Sequence, residues 1–436
     1  MRRAQHQDEV DALDATRRTR RARVARALAP LLMNRERRAP TVAALGTAQT
    51  LAWASSYYLP AILAAPMARD LGVSTPTVFA AFSVALVVSA AVGPWAGRAI
   101  DQRGGRSLLM ATSLVFALGL AVLGLAQGPL TLFAAWVLIG VAMGSGLYEA
   151  AFSTLVRLYG HEARNAITGI TLIAGFASTV GWPLSTLLEA QVGWRGACLT
   201  WAALHLLLGL PLNAWLPRAA AAQPTAAQSP SPAVIADAPP ATINPRPALT
   251  TALLSFVFAA TWFTSTAMAA HLPALLQAAG ATLAVAVGVG ALVGPAQVAG
   301  RLLEFGVLRR VHPLLSARLA ALAHPLGALA LLAAGAPAAV LFALLHGAGN
   351  GILTIAKGTL PLVLFGTRGY GARQGWLMMP ARLAQAAAPF LFGLALDRWG
   401  IGSLWLSVLL GLSAFVALML LPRLRAERIG VAAPGG

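Results

Sequence analysis

Three ionisable residues lie inside long apolar runs: Glu149 in GSGLYEAAF, Lys357 in HGAGNGILTIAKGTLP and Arg382 in WLMMPARLAQAAAP. Lys357 is the only lysine in the chain; every other basic side chain among the 32 Lys and Arg residues is arginine. A charge at hydrocarbon depth costs about 2.5–3.5 kcal/mol on insertion scales, so it faces a cavity or a partner. Arginine stays charged under any accessible condition, whereas a buried lysine can give up its proton. Lysine therefore suits a site that must be charged in one state and neutral in another. A nearby carboxylate can carry the reciprocal proton, which makes Glu149 the candidate proton carrier and Lys357 the candidate substrate or coupling charge. The alternative is a static buried ion pair that fixes helix packing. A guanidinium at Arg382 suits bidentate binding of a carboxylate or oxyanion; the alternative is that Arg382 pairs with Glu149 or with backbone carbonyls.

The elements that must hold these residues follow from composition. Hydrophobic residues make up 58% of the 436-residue chain, charged residues 11%, and mean hydropathy is +0.71. Soluble domains carry about a quarter charged residues, so the chain reads as a multi-pass membrane protein. The net charge of +18 sits in tails and short loops rather than on one face of a soluble domain, which argues against nucleic-acid binding. A single cysteine, Cys198, excludes a disulfide framework and a thiolate metal site.

Six apolar runs fit before residue 217, at about 42–67, 76–98, 107–126, 130–155, 166–189 and 196–216. Six more follow, at about 249–272, 283–303, 314–334, 337–360, 374–396 and 401–421. Between them lies a Pro/Ala-rich linker, 217–247, with eight prolines. The expected organisation is a basic tail (1–40), a six-helix bundle (41–216), the linker, a second six-helix bundle (248–422) and a short tail (423–436). Loop arginines concentrate on the side of the tails, the linker and the 98–106, 157–165, 304–318 and 366–373 loops. Both termini are therefore expected in the cytoplasm, and a bacterial cytoplasmic (inner) membrane is expected as the location.

The halves echo each other. VGPWAGRAID in the second run has a partner in VGPAQVAGRLLE in the eighth, and GVAMGSGLYEA in the fourth has one in GAGNGILTIAK in the tenth. A duplicated six-helix unit implies a pseudo-two-fold axis along the membrane normal.

With GRAIDQRGGR (97–106) between the second and third runs, the chain resembles the major facilitator superfamily from about residue 41 to 422. Gly97, Asp101, Gly104 and Arg106 match the family's signature, while Gln102 and Gly105 stand where it has basic residues. The resemblance implies an all-α fold of 12 transmembrane helices in two pseudo-symmetric halves. It also implies a conformational latch at those four residues, and a central cavity lined by spans one, four, seven and ten. Glu149 and Lys357 would then face each other across that cavity. GFASTVGWP (175–183) matches the family's antiporter signature only at Gly181 and Pro183, which weakens a drug-efflux reading.

Tyr57, Tyr58, Trp262 and Asn350 are the softer substrate-binding candidates, with Thr264, Ser265, His271 and Thr354 beside them. Each of these also reads as packing or as an interface anchor. His205, His324 and His346 read as isolated packing residues with no metal spacing. No phosphate-binding glycine loop and no nucleophile with a carboxylate pair is present, so neither ATP drive nor an enzyme activity is expected, and no cofactor or metal. The leading expectation is a monomeric secondary transporter for a small organic or oxyanionic solute, coupled to protons or to a counter-solute. The alternatives are proton-coupled efflux of amphipathic drugs or metabolites, and a receptor or scaffold that transports nothing.

Overall fold

The computed structural model describes residues 38–219 and 247–421. Most of the basic tail, the linker and the C-terminal tail, each named above as its own segment, fall outside the described residues. The chain is helical throughout the described residues: α1 (Arg38–Ala54), α2 (Pro60–Asp70), α3 (Thr75–Arg103), α4 (Gly105–Gly124), α5 (Pro129–Gly146), α6 (Tyr148–Tyr159), α7 (Ala163–Ala174), α8 (Ala177–Leu204) and α9 (Leu210–Trp215) form the first half. The second half is α10 (Pro247–Ala278), α11 (Leu283–Gly306), α12 (Pro313–Ala334), α13 (Ala339–Phe365), α14 (Tyr370–Trp399) and α15 (Leu404–Leu420).

Eight described segments are long and apolar enough to cross a membrane. One of them, Pro129–Trp215, reverses at Gly160 and again at Gly193, where φ is 58° and 70°; a side chain at either position would be strained. It therefore crosses three times. Tyr370–Leu420 turns at Gly400 and crosses twice. With α1–α2 counted as a broken first crossing, the described helices are consistent with the twelve crossings that the apolar runs imply.

Three crossings differ from uninterrupted runs. The first breaks between Ala54 and Pro60, where the Ser55 and Ser56 hydroxyls donate back to Leu51 O and Ala52 O at 2.8 and 2.5 Å. The Ser55 N–H also reaches Leu51 O, at 3.0 Å, so backbone and hydroxyls together keep polar groups at the break bonded. The fourth breaks at Leu147, which is extended (φ −80°, ψ −164°) and separates α5 from α6. The fifth breaks at Gly175 and Phe176, between α7 and α8. By contrast α14 runs continuously through Pro380 and Pro389.

The halves meet along two seams. In one, α3 and α6 pack on α14; in the other, α7 packs on α11 and α13. The first seam is close because Gly97 faces Gly371, and a Cβ on Gly97 would overlap the Gly371 carbonyl. Small residues allow such backbone approach where no hydrophobic gradient drives helices together.

At the arginine-rich end, His312 caps α12. Its Nδ1 accepts the Leu314 N–H at 3.2 Å. Burial, and then the guanidinium groups of Arg164 and Arg318, hold this imidazole below the usual histidine range. The folded state thus favours the neutral ring, and the cap's stability is present above the unfolded value of about 6.5 and lost as pH falls below it. The melting temperature of the wild type should fall more steeply below that pH than that of His312→Asn, which caps without titrating. Parallel melting curves from pH 7.5 to 5 check this; identical pH profiles refute it.

Candidate functional site

The break at Leu147 decides where Glu149 stands. It places the carboxylate in the first turn of α6, a helix start inside the membrane, with Glu149 the acidic residue of that turn. Exposed amides and the helix dipole favour a negative charge there.

Arg382 reaches across the seam from α14. Its Nη2 donates to Glu149 Oε2 at 2.9 Å and to Oε1 at 3.1 Å, while Nη1 donates to Gln385 Oε1 at 3.0 Å. Its side chain is 3% exposed and that of Glu149 15%. Of the two readings left open for Arg382, the ion pair with Glu149 is the observed geometry. Glu149 and Lys357 do not pair; among the described residues Glu149 is bonded to Arg382.

Lys357 is buried on α13, and its Nζ lies 3.8 Å from the centroid of the Trp262 ring. No hydrogen-bond partner to Nζ occurs among the described residues. The Lys357 carbonyl is tied to α14 by Gln374 Nε2, at 3.0 Å. Trp262, on α10, is the shared wall of the cluster. The Arg382 guanidinium lies 5.4 Å from its ring, and Trp53 from α1 stacks parallel to it at 6.2 Å.

The softer candidates divide. Tyr57 packs edge-on to Trp53 and Trp262, and its hydroxyl reaches Thr266 of the other half at 3.3 Å. Tyr58 sits one layer out, edge-on to Tyr57 and Trp182. Asn350 joins α13 to α10 through Ser265 Oγ at 2.9 Å, and Thr354 bonds back to the Asn350 carbonyl. His271 bonds the Pro389 carbonyl of α14, and Thr264 bonds back to the Ala260 carbonyl of its own helix. The sequence alone does not single out Trp53, because one tryptophan in an apolar run reads as packing. Its neighbours in WASSYYLP, which break the helix, were the available signal.

The histidines need a correction. His324 and His346 are not isolated: their Nδ1 atoms lie 3.1 Å apart between α12 and α13. His205 is bonded to Ser55 Oγ at 2.8 Å. The two partners in each case sit 22 and 150 residues apart, a separation no local motif exposes.

At the seam the structure is closed. Glu149 and Arg382 border a void of about 10 Å³ shared with Gly144, Gly375 and Met378, room for about one water. At the arginine-rich end, Asp101 of the signature loop bonds across the seam. Asp101 accepts the Gly371 and Ala372 N–H groups at 2.8 and 2.9 Å, so a carboxylate of one half caps the first turn of α14 in the other. Gly104, with φ 81°, turns the chain from α3 into α4, and Arg106 opens α4. On the second seam Arg164 Nη2 meets Glu304 Oε1 at 3.1 Å, and Arg301 Nη1 donates to Thr171 O at 3.2 Å. The opposite end is closed by Tyr57 with Thr266, and by Ser83 Oγ donating to Ala386 O at 3.3 Å.

A bundle of twelve crossings in two echoing halves, closed on buried charges, defines a polytopic membrane protein of the transporter fold. The chain belongs to the Major Facilitator Superfamily, whose family model matches residues 45–354. The structure resembles the transporter FucP in its outward conformation, with a TM-score of 0.69 at 14% identity over 88% of this chain and 98% of that one, and a point variant of the E. coli fucose:proton symporter FucP, with 0.64 at 16% over the same shares. It resembles the proton:xylose symporter XylE with a TM-score of 0.69 at 12% identity, over 89% and 97% of the two chains. The human organic anion transporter TETRAN gives 0.60 at 18% identity, over 89% and 99%. An uncharacterized 38 kDa protein of Thermoproteus tenax is 32% identical over 153 residues, so the match spans 35% of this chain and 40% of that relative.

Removing the Asp101 carboxylate leaves two amides of the α14 N-terminus without their acceptor. Asp101→Ala should loosen the arginine-rich end, raising the labelling rate of a cysteine introduced at Ala372 by about tenfold, on the basis of roughly 1.5–3 kcal/mol for hydrogen bonds to a charged group. The native Cys198 is buried and does not compete. An unchanged labelling rate would show that these bonds do not hold the end closed.

Proposed function

We propose that the chain is a secondary transporter for a small organic or oxyanionic solute, working by alternating access and coupled to protons or to a counter-solute. The carrying observation is Lys357: a buried amine with no hydrogen-bond partner among the described residues, set against the Trp262 ring. A desolvated cation–π contact contributes about 2 kcal/mol. Burying the ion costs several kcal/mol. The ring alone does not offset that, and an anion at Nζ would.

Arg382 and Glu149 supply the coupling. The guanidinium is committed to the Glu149 carboxylate through Nη2. A proton on Glu149 weakens that pair and releases donors of Arg382 toward the solute. The solute and the unprotonated Glu149 thus compete for one guanidinium, and loading the solute favours loading the proton. With all three groups ionised the cluster carries net positive charge, which attracts anions and repels cations. This supports the anion reading over efflux of cationic amphipaths. Both termini are placed in the cytoplasm and the chain in a bacterial cytoplasmic membrane, on the arginine distribution. The two halves are taken as 41–216 and 248–422, and the unit as a monomer.

Thermal-shift screening of the purified protein with mono- and dicarboxylates at two pH values identifies a stabilising acid, and uptake of that acid into proteoliposomes then tests the cluster. Lys357→Ala and Arg382→Ala should each lower uptake by about 100-fold or more, the scale of stripping one partner from a buried charge pair, with insertion and size-exclusion profile unchanged. Glu149→Gln should lose the dependence on a proton gradient while still binding the acid. Uptake at the wild-type level in both cation-deleted variants refutes the reading.

A further inference from the structure

A second polar site lies inside the first half-bundle, away from the seam, and the transport reading does not use it. A void of about 10 Å³, room for about one water-sized particle, is enclosed by α1, α4, α5 and the end of the sixth crossing. Its polar lining is Gln49, Asn213, His205, Thr112 and Ser113. Among the described residues no Asp or Glu borders it.

The hydrogen bonds around the void fix the orientation of the amides that border it. Gln49 Nε2 donates to the Gly146 carbonyl at 2.7 Å, and Asn213 Nδ2 donates to the Leu109 carbonyl at 3.3 Å and to Ser113 Oγ at 3.0 Å. Carbonyls only accept, so the orientation of both amides is set by their donors. The amide oxygens, Gln49 Oε1 and Asn213 Oδ1, are then left with no partner, although the residues are 2% and 6% exposed.

The other polar groups are acceptors too. Ser113 Oγ donates its proton to the Leu109 carbonyl at 3.2 Å and keeps a lone pair. Ser55 Oγ donates to the Leu51 carbonyl at 2.8 Å, so it receives the Nε2–H of His205 at 2.8 Å. That leaves the Nδ1 of His205 as a lone pair. His205, Ser113 and Gly209 all line the void, and a Cβ added to Gly209 would lie 3.3 Å from this Nδ1 and 3.6 Å from Ser113 Oγ. Thr112 spends its proton on the Leu108 carbonyl and on Ser145. His205 opens a π-helical turn, His205–Gly209, a local rewinding that recurs at functional sites.

The void is therefore walled by acceptors. A water has two protons to give and would leave at least one of these lone pairs bare. A bare cation satisfies all of them, as carbonyl dipoles do when they replace an ion's hydration shell. With neutral ligands only, the site suits a single positive charge; divalent cations take carboxylates. We infer that this void is a binding site for one alkali-metal cation, held by Gln49 Oε1, Asn213 Oδ1, His205 Nδ1 and Ser113 Oγ.

The site is wired to the charged cluster. The amide of Gln49 that would hold the ion also grips the Gly146 carbonyl, the last residue of α5, one residue before the break at Leu147 and three before Glu149. An ion drawing on Gln49 acts on the hinge that sets Glu149 at a helix start.

Equilibrium binding of radioactive sodium to the detergent-purified full-length protein tests the inference, with melting curves in NaCl, KCl and choline chloride at equal ionic strength. The wild type should hold about one displaceable sodium or potassium per chain and melt a few degrees higher in the alkali salt than in choline. Asn213→Leu should lower cation affinity at least tenfold, and Asn213→Asp should keep or raise it. Where Asn213→Leu does not insert, Gln49→Met carries the same expectation. No displaceable cation in the wild type, with equal melting in all three salts, means that the void holds only water and overturns the site. Undiminished binding in Asn213→Leu or Gln49→Met overturns it as well.

Discussion

A guanidinium and a carboxylate, brought together at 2.9 Å from opposite half-bundles, set the terms for the rest of the molecule. Neither ion is tolerable alone in hydrocarbon, and their attraction repays desolvation only in close geometry. The seam between α3, α6 and α14 must therefore be tight when Arg382 and Glu149 meet. It is tight because glycine faces glycine at Gly97 and Gly371, and because the void beside the pair has room for about one water. The aromatic wall of Trp53 and Trp262 completes the desolvation. Whatever separates this pair must supply a proton, water or another anion, and each of those can enter only if the halves part.

The two halves carry opposite charges at echoing positions, and helix geometry explains the difference. GVAMGSGLYEA breaks at Leu147, so Glu149 stands in the first turn of a new helix, at the positive end of its dipole. GAGNGILTIAK does not break; α13 is continuous from Ala339 to Phe365, and Lys357 sits mid-helix with its amine on the Trp262 face. A lysine at a helix start would meet the positive end of the dipole, and a glutamate mid-helix would find no amide. Each charge stands where its own backbone suits it.

Much of this was legible in the sequence. Twelve apolar runs, the Asp101 loop and the three embedded charges follow from hydropathy and from the rarity of ions in such runs. Even the capping role of Asp101 is foreseeable, since a carboxylate at a helix end seeks a neighbouring helix start. The pairing was harder. Arg382 and Glu149 are 233 residues apart, and nothing local distinguishes an Arg382–Glu149 pair from a Lys357–Glu149 one. The break at Leu147 was also hidden, because Gly-Ser-Gly in an apolar run reads equally as close helix packing. The His324–His346 contact and the acceptor-lined void depend on the register of helices far apart in sequence, which periodicity alone does not fix.

The two closed ends are not equivalent in strength. At the arginine-rich end the halves share two bonds from Asp101 to backbone amides, the Arg164–Glu304 pair with Glu304 nearly buried, and the Arg301 bond to Thr171. Most involve an ion, and charge-assisted bonds are about twice as strong as neutral ones. At the opposite end the polar contacts are two neutral hydroxyl bonds at 3.3 Å, Tyr57 to Thr266 and Ser83 to Ala386, with stacked aromatics beneath them. Parting the aromatic end breaks fewer charged contacts, so from this state the balance of contacts favours opening there first. A solute entering by that route would meet Tyr57, then the Trp53–Trp262 stack, and only then Arg382 and Glu149. Any solute taking that route would thus meet aromatic surface before a charge, while the ionic contacts at the far end remain intact.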